Sequence, residues 1–196
     1  MIRILYIFLC LLFLSGPLLA DDKSEAREIV KQKLDAVFAV LQKADLDQQA
    51  KKKEIDAIVS PMFDFELMAK LTLGKKHWPG LPREKKEKFT ALYIELLKSS
   101  YLDKLALYTD EKVIFEPPAQ VKNKVQVPTQ LVSKDRKTSI NYKLYKPGDD
   151  WKVYDLEIQG VSIIRSYRSQ FSETLKTGSI DDLLLKMERP EKPAGS

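Results

Sequence analysis

Residues 151–171, WKVYDLEIQGVSIIRSYRSQF, decide the fold class of this chain. The first eight residues favour a β-strand, along which side chains alternate between two faces. Alternation places Trp151 and Val153 on one face and Tyr154, Leu156 and Ile158 on the other. Both faces would then be apolar, so we expect a strand that is covered on both sides.

After a break at Gln159-Gly160, the same stretch predicts a helix from about Ser162 to Thr177. Spacings of three and four residues place one apolar stripe along this helix. A buried strand that leads directly into an amphipathic helix predicts a core of sheet and helix. The stripe comprises Ile164, Tyr167, Arg168, Phe171 and Leu175.

The chain before residue 110 has helical periodicity. A first helix is predicted to begin at Ser24, because serine is a preferred N-cap. Gly74 should end a short helix, since glycine readily takes the positive φ angle that a helix end often needs. Pro82 should open the longest helix, with a wide apolar arc that runs to about Tyr108.

Alternating patterns then predict three strands before Trp151. Pro128 lies in the second of them and favours an edge position or a bulge, because proline cannot donate a ladder hydrogen bond. In the third strand, Ile140, Tyr142 and Leu144 share one face. Short turns between strands favour antiparallel pairing. We therefore predict an α+β fold, with helices packed on one face of a roughly four-stranded antiparallel sheet.

The N-terminus resembles a secretory signal. Arg3 precedes the apolar run Ile4–Leu14, which is too short to span a bilayer, and Ala20 is a plausible cleavage edge. An uncleaved anchor is the alternative. The expected products are a signal peptide at residues 1–20, a single domain at 21–188 and a disordered tail at 189–196. Cleavage would remove Arg3 and lower the net charge from +5 to +4.

The composition excludes several kinds of site. The only cysteine leaves with the predicted signal, and the only histidine is His77, so thiolate sites and histidine-rich metal sites are excluded. Seven glycines without a phosphate-binding cluster argue against nucleotide binding. The third strand places Tyr142 between Ile140 and Leu144 on one face, not among cations, which argues against nucleic-acid binding. Asp155 is the main acid-base candidate; we prefer a hydrogen-bonded structural role, with Arg168 as a possible ion-pair partner.

Several short matches resemble the MlaC-type family, whose members are also known as toluene-tolerance or ABC-transporter auxiliary proteins. The matches cover nearly the whole mature chain in the right order. They are Trp151-Lys152-Val153-Tyr154-Asp155, Gly160-Val161-Ser162, Tyr167-Arg168-Ser169-Gln170-Phe171, Leu73-Gly74 with Trp78, and Val127-Pro128-Thr129.

The resemblance implies a periplasmic phospholipid carrier without a cofactor, which is not an enzyme. It implies a pocket for acyl chains between the helices and the sheet. It also implies two partners, namely an outer-membrane lipoprotein complex and an inner-membrane ABC transporter complex with its substrate-binding subunit. Such a carrier would act as a monomer that helps to maintain outer-membrane lipid asymmetry.

Under this hypothesis the apolar side chains bind the tails, and the headgroup stays near surface lysines. Two alternatives stay open: a small-molecule enzyme that uses Asp155 as a general base in an apolar pocket, and an adaptor without a ligand. A cargo other than phospholipid, such as a hopanoid, is also open. The predicted lipid-binding residues are Tyr93, Leu96, Leu97, Tyr101, Val127, Ile140, Tyr142, Leu144, Val153, Val161, Ile164, Tyr167 and Phe171.

Overall fold

The computed structural model of the chain describes residues 21–102, 105, 111–133 and 136–189. The predicted signal segment and residues 190–196 of the predicted tail lie outside the described residues. Both therefore remain predictions. The same holds for most of residues 103–110, into which the fourth helix was predicted to extend.

The described part of the chain contains six α-helices. Acidic or hydroxyl side chains cap most of them at the N-terminus, as Asp21, Asp47, Asp64, Ser162 and Ser179 accept hydrogen bonds from backbone N–H groups two or three residues later. Asp21, not Ser24, therefore caps the first helix. The helices are α1 (Asp22–Leu41), α2 (Gln48–Val59), α3 (Phe65–His77), α4 (Arg83–Leu97), α5 (Ile163–Thr177) and α6 (Ile180–Glu188).

After Leu97 the fourth helix continues as a π-helical turn, Lys98–Leu102. Its predicted extension to about Tyr108 falls mostly outside the described residues and stays a prediction. The side chain of Ser99 helps to explain the π-helical turn. Ser99 donates its hydroxyl to the carbonyl of Leu96 at 3.1 Å, and such bonds compete with the regular helical ladder. With 20 residues, α1 is longer than α4.

The described strands form one antiparallel sheet of six members, not four. The two that the sequence did not predict, β2 and β6, have only three and two residues. The strand order is β1-β3-β4-β5-β6. Strands β1 and β2 pair with the same edge of β3, each along a different half of it. The strands are β1 (Lys112–Phe115), β2 (Ala119–Val121), β3 (Lys124–Ser133), β4 (Arg136–Tyr145), β5 (Lys152–Ile158) and β6 (Val161–Ser162).

Pro128 lies in an interior strand, so the prediction of an edge or a bulge was wrong. β1 reaches Thr129 and β2 reaches Gln126, which leaves Pro128 opposite the junction between them. Its carbonyl accepts a hydrogen bond from the Glu116 N–H at 3.0 Å. In antiparallel strands the N–H and C=O of one residue point to the same neighbour. The missing N–H therefore faces the junction, where it interrupts no regular ladder.

A β-bulge in β5 changes the faces predicted for this strand. Lys143 pairs with Asp155, but Leu144 pairs with Val153, so Tyr154 is the extra residue. Val153 therefore shares a face with Leu156 and Ile158, and the prediction of opposite faces was wrong. Helix α1 packs on this apolar face, in the cluster that contains Val153. The other face is polar, and there the Lys143 ammonium lies 2.6 Å from a carboxylate oxygen of Glu157.

Two apolar clusters fill most of the space between helices and sheet. The first joins α3, α4, α5 and α6. The second packs α1 against the middle strands, where Ala26 and Val30 meet Val125, Leu144 and Val153. A smaller cluster lies between α1 and α2 around Val37 and Ile55. Candidate ligand space lies where these three clusters meet.

Candidate functional site

An apolar cavity of about 360 Å³ lies between the helices and the sheet. This volume falls within the roughly 300–1,000 Å³ range of ligand pockets. The walls come from α1, α2, the 3₁₀ turn Ser60–Met62, α3, the π-helical turn, β4, β5 and the start of α5. The lining residues are Lys33, Leu34, Val37, Asp56, Val59, Ser60, Met62, Phe63, Phe65, Met68, Leu97, Lys98, Tyr101, Leu102, Leu105, Ile140, Tyr142, Leu156, Ile158 and Ile163.

The sheet forms one apolar wall of this cavity. Ile140 and Tyr142 come from β4, and Leu156 and Ile158 come from the paired positions of β5. The bulge at Tyr154 brings Leu156 into line with the apolar face, as described above. Burial raises the pKa of Tyr142, because the phenolate would lose its hydration. Tyr142 therefore stays neutral at physiological pH and acts as an apolar wall residue with one hydroxyl.

Aromatic and sulfur-containing side chains form a second wall of the cavity. The rings of Phe63 and Phe65 stack with their centroids 5.4 Å apart. Met62 and Met68 flank them in the lining. Methionine side chains are flexible and polarisable, and they adapt to irregular apolar partners. This wall can therefore adjust to ligands of different shape.

A small group of charged and hydroxyl side chains interrupts the apolar lining. The ammonium of Lys98 lies 3.0 Å from Oδ2 of Asp56, and Ser60 donates its hydroxyl to Oδ1 of the same carboxylate at 2.5 Å. Burial acts to raise the pKa of Asp56, but the hydrogen bonds from Ser60 and Lys98 outweigh it and lower the pKa below its ordinary value. Asp56 is thus ionised at neutral pH. Lys33 lines the same cavity from α1.

The structure brings four of the predicted lipid-binding residues to the cavity. Leu97 and Tyr101 line it from the end of α4 and the π-helical turn, and Ile140 and Tyr142 line it from β4. Their role in binding a lipid remains a prediction. The position of these four residues in the cavity lining gives that prediction a geometric basis.

Five other predicted residues lie in the helical cluster and outside the cavity lining. Tyr93 stacks on Phe89 at a centroid distance of 5.9 Å, and its hydroxyl accepts a hydrogen bond from Thr72 at 3.1 Å. The hydroxyls of Tyr167 and Ser100 lie 3.0 Å apart. The packing of these residues is that of an ordinary aromatic core. The five are Tyr93, Leu96, Ile164, Tyr167 and Phe171.

The remaining four predicted residues belong to the sheet. Val127, Leu144 and Val153 are fully or almost fully buried in the cluster that packs against α1. Val161 is 59% exposed on the short strand β6. None of the four is in the cavity lining. They support the sheet wall or face outward.

A family model described as MlaC protein matches residues 31–189. The chain belongs to the MlaC family. A curated relative is the intermembrane phospholipid transport system binding protein MlaC of Haemophilus influenzae, which is 24% identical over 135 residues. That match covers 66% of this chain and 63% of the relative.

A solved structure has the same fold. It is the phospholipid-binding protein from Ralstonia solanacearum in complex with a phospholipid, and it superposes with a TM-score of 0.76 at 24% identity. The superposition covers 83% of this chain and 94% of the Ralstonia chain. The α+β prediction, with helices on an antiparallel sheet, is thereby confirmed. The sequence resemblance to MlaC-type proteins is confirmed as well.

Asp155, the main acid-base candidate of the sequence, is held by hydrogen bonds within the fold. Oδ2 of Asp155 accepts a hydrogen bond from Ser162 at 2.8 Å, and Oδ1 accepts one from the N–H of Ile164 at 3.3 Å. Asp155 is 5% exposed and does not line the cavity. The predicted structural role is therefore confirmed.

Arg168 is not the partner of Asp155, contrary to the sequence-based expectation. Its Nε donates to the carbonyl of Leu71 at 3.1 Å, which links α5 to α3. The carboxylate instead has Lys143 as its cation, at 3.4 Å.

Sequence reasoning missed most of the helical lining. Leu34 and Val37 on α1, Val59 on α2 and the Phe63–Met68 segment all contribute to the cavity. One indication is present in the sequence, because Leu34 and Val37 are apolar residues at helical spacing in the first helix.

The part of the chain that the structure describes contains no cluster of acidic, histidine or cysteine side chains suited to a metal ion. Across the same residues, none of the helices combines the length and apolar character needed to cross a bilayer.

Proposed function

We propose that this protein is a periplasmic phospholipid carrier that holds acyl chains in the cavity between its helices and its sheet. The observation that carries the proposal is the cavity itself, a mostly apolar chamber whose lining includes the charged side chains of Lys33, Asp56 and Lys98. That arrangement suits an amphiphile, whose tails need an apolar container and whose headgroup needs polar contacts.

The named relatives support this cargo. The Haemophilus protein is named as a binding protein of an intermembrane phospholipid transport system, and the Ralstonia protein was solved with a phospholipid. The fold that this chain shares with the Ralstonia protein is compatible with the same class of ligand.

The energetics explain why a lipid needs such a container. Two acyl chains with about 30 methylenes would expose apolar surface worth on the order of 24 kcal/mol, at roughly 0.8 kcal/mol per methylene. A lipid therefore leaves a membrane rarely unless a protein offers another apolar phase. The side chains that we propose to contact tails include Leu97, Tyr101, Ile140 and Tyr142 from the sequence-based set.

Membership of the MlaC family and the predicted export signal support a proposal for the transport route. We propose that the mature protein shuttles lipid between an outer-membrane lipoprotein complex and an inner-membrane ABC transporter complex with its substrate-binding subunit. In this role it acts as a monomer, and its activity maintains outer-membrane lipid asymmetry.

Native mass spectrometry of residues 21–196, purified without detergent, tests the carrier function directly. We expect a stoichiometric adduct that lipid extraction identifies as a diacyl phospholipid. A protein that is empty after purification and also takes up no lipid from phospholipid vesicles would contradict the proposal.

A matched pair of variants locates the bound tails. Ile158→Asp places a carboxylate in the cavity wall, whereas Tyr154→Asp places one on the same strand but away from the cavity lining. We expect Ile158→Asp to lose the adduct and Tyr154→Asp to keep it, with the helix content measured by circular dichroism unchanged in both. Equal retention of lipid by the two folded variants would count against this cavity.

A further inference from the structure

The charges in the cavity lining do not cancel. Lys33 and Lys98 contribute two positive charges, and Asp56 contributes one negative charge. Asp56 pairs with Lys98, while Lys33 has no ion-pair partner among the described residues. A cavity that is otherwise apolar therefore carries a net charge of +1 in its lining.

Lys98 has hydrogen-bonding capacity to spare. An ammonium group has three donors, and Asp56 accepts one of them at 3.0 Å. Asp56 in turn receives a second bond from Ser60 on its other oxygen. Both side chains of the Lys98–Asp56 pair are 31% exposed, so a ligand group can reach them from the solvent side.

The position of Lys98 in the chain joins the cation to the apolar wall. It is the first residue of the π-helical turn, and Tyr101 and Leu102 of the same turn line the cavity. Such π-helical insertions occur frequently at functional sites. One short segment thus presents an ammonium group and two apolar side chains to the same ligand.

We propose that Lys98 and Lys33 bind the phosphate of the cargo lipid, and that Asp56 occupies Lys98 in the lipid-free protein. This inference rests on the carrier function proposed above and adds the part of the lipid that the protein recognises. A phosphodiester carries a single negative charge, which matches the excess of +1. In a phospholipid, the phosphodiester joins the polar headgroup to the apolar tails. Both lysines likewise line a cavity that is otherwise apolar.

The proposal predicts a specific pattern of selectivity. The phosphodiester is common to all phospholipids, so the protein should discriminate weakly among their headgroups. It should discriminate clearly against diacylglycerol, which has the same tails and no phosphate. The expected preference is roughly three- to tenfold, the range of a partly exposed charged contact.

The experiment is a competition for loading. Lipid-free protein is incubated with vesicles that contain equal amounts of phosphatidylglycerol and tail-matched diacylglycerol, and the ratio of the two bound lipids is measured by mass spectrometry. We expect Lys98→Met and Lys33→Met each to reduce the preference for phosphatidylglycerol. Lys31→Met is the matched control, because Lys31 lies on α1 near Lys33 but pairs with Asp35 at 2.5 Å and does not line the cavity.

The Asp56→Asn variant separates recognition from structure. It removes the carboxylate that competes for Lys98, so the preference for phosphatidylglycerol should rise above that of the wild-type protein. A pair that serves only to hold the fold together would instead leave the ratio unchanged while lowering thermal stability. That result would overturn the proposal.

Two further outcomes distinguish the possible failures. Equal loading of both lipids by the wild-type protein would overturn phosphate recognition but leave the carrier function intact, whereas no loading of either lipid would contradict both. Inorganic phosphate is added in a parallel series. At the same concentration as the lipid phosphate, it should leave the preference for phosphatidylglycerol over diacylglycerol unchanged. Loss of this preference would show that free phosphate, not the lipid headgroup, is the ligand.

Discussion

Tyr145 donates its hydroxyl proton to Oδ2 of Asp64, which joins β4 to the start of α3. Oδ1 of Asp64 accepts the Leu67 N–H at 2.9 Å and caps α3. The backbone N–H of Asp64 donates to the carbonyl of Val153 at 2.9 Å. Asp64 thereby links the start of α3 to β4 and β5. These bonds also fix the position of the next residue, Phe65, which lines the cavity.

The Tyr145–Asp64 contact predicts a loss of stability in alkali. Burial, together with the hydrogen bond to Asp64, raises the pKa of Tyr145 from 10.0 to about 12. A tyrosine whose pKa is higher in the folded state than in the unfolded state contributes its full stabilisation below the unfolded-state pKa. This contribution is lost as the pH rises through the folded-state pKa. We expect the difference in unfolding free energy between wild type and Tyr145→Phe to be constant below about pH 10 and to shrink towards pH 12.

Urea unfolding at several pH values measures this difference. Other buried tyrosines titrate in both proteins, so their contribution largely cancels. A difference that stays constant from pH 8 to about 12 would mean that the Tyr145 hydroxyl is not titrating as the structure implies.

Ser162→Ala tests the junction between β5 and α5. The Ser162 hydroxyl donates to buried Asp155 at 2.8 Å and accepts the Arg165 N–H at 3.2 Å, so one atom caps the helix and satisfies the carboxylate. Its loss should destabilise the protein by about 1–3 kcal/mol in urea unfolding.

Ser172→Ala is the control for this substitution. Ser172 lies on the exposed side of the same helix and bonds only to the Ser169 carbonyl. Its replacement should change the unfolding free energy by no more than about 0.5 kcal/mol. Equal effects of the two substitutions would show that the Asp155 contact contributes little.

The sequence predicted which residues are buried better than where they point. The helical stripe with Tyr167 and Phe171 is buried as expected, and Ile140, Tyr142 and Leu144 share the apolar face of β4. Periodicity indicates these properties because burial follows apolar spacing. It predicts the α+β class for the same reason.

The faces of β5 could not be predicted from alternation. An ideal strand would separate Val153 from Leu156, and only the extra residue at the bulge brings them together. A bulge arises from the pairing of two strands, so the spacing of apolar residues within one strand does not reveal it. Tertiary pairing also explains why Pro128 is tolerated inside the sheet.

The cavity was the hardest feature to predict. Tyr93 and Tyr101 lie on the same predicted helix, yet Tyr93 is fully buried and only Tyr101 lines the cavity. Apolar side chains next to packed neighbours and next to open space look alike in sequence. Which of them borders a cavity depends on how far apart the helices and the sheet lie.

Gly74→Ala tests the kink in α3. Gly74 has φ of 71° and ψ of −178°, a conformation that is essentially restricted to glycine. Space is not the obstacle, since an added Cβ would lie 3.8 Å from Nε of Arg168. The substitution should therefore cost about 1–3 kcal/mol through backbone strain alone.

Gly80→Ala provides the comparison for Gly74→Ala. An added Cβ there would meet nothing within 4 Å, and its φ is not positive. Thermal unfolding should show a lower midpoint for Gly74→Ala and no loss for Gly80→Ala. A Gly74→Ala protein as stable as the wild type would mean that the kink can relax into a regular helix.

Ile140→Trp tests whether the cavity holds the cargo. The larger side chain would occupy open space beside the sheet and displace roughly four methylenes of tail, worth about 3 kcal/mol at about 0.8 kcal/mol each. The affinity for phospholipid should then fall by about a hundredfold. Ile114→Trp makes the same exchange at a position on β1 that is 53% exposed and outside the cavity lining, so it should bind lipid normally. Lipid transfer from vesicles to each purified variant measures the affinity, and urea unfolding shows whether each remains folded. A folded Ile140→Trp protein with wild-type affinity would place the acyl chains elsewhere.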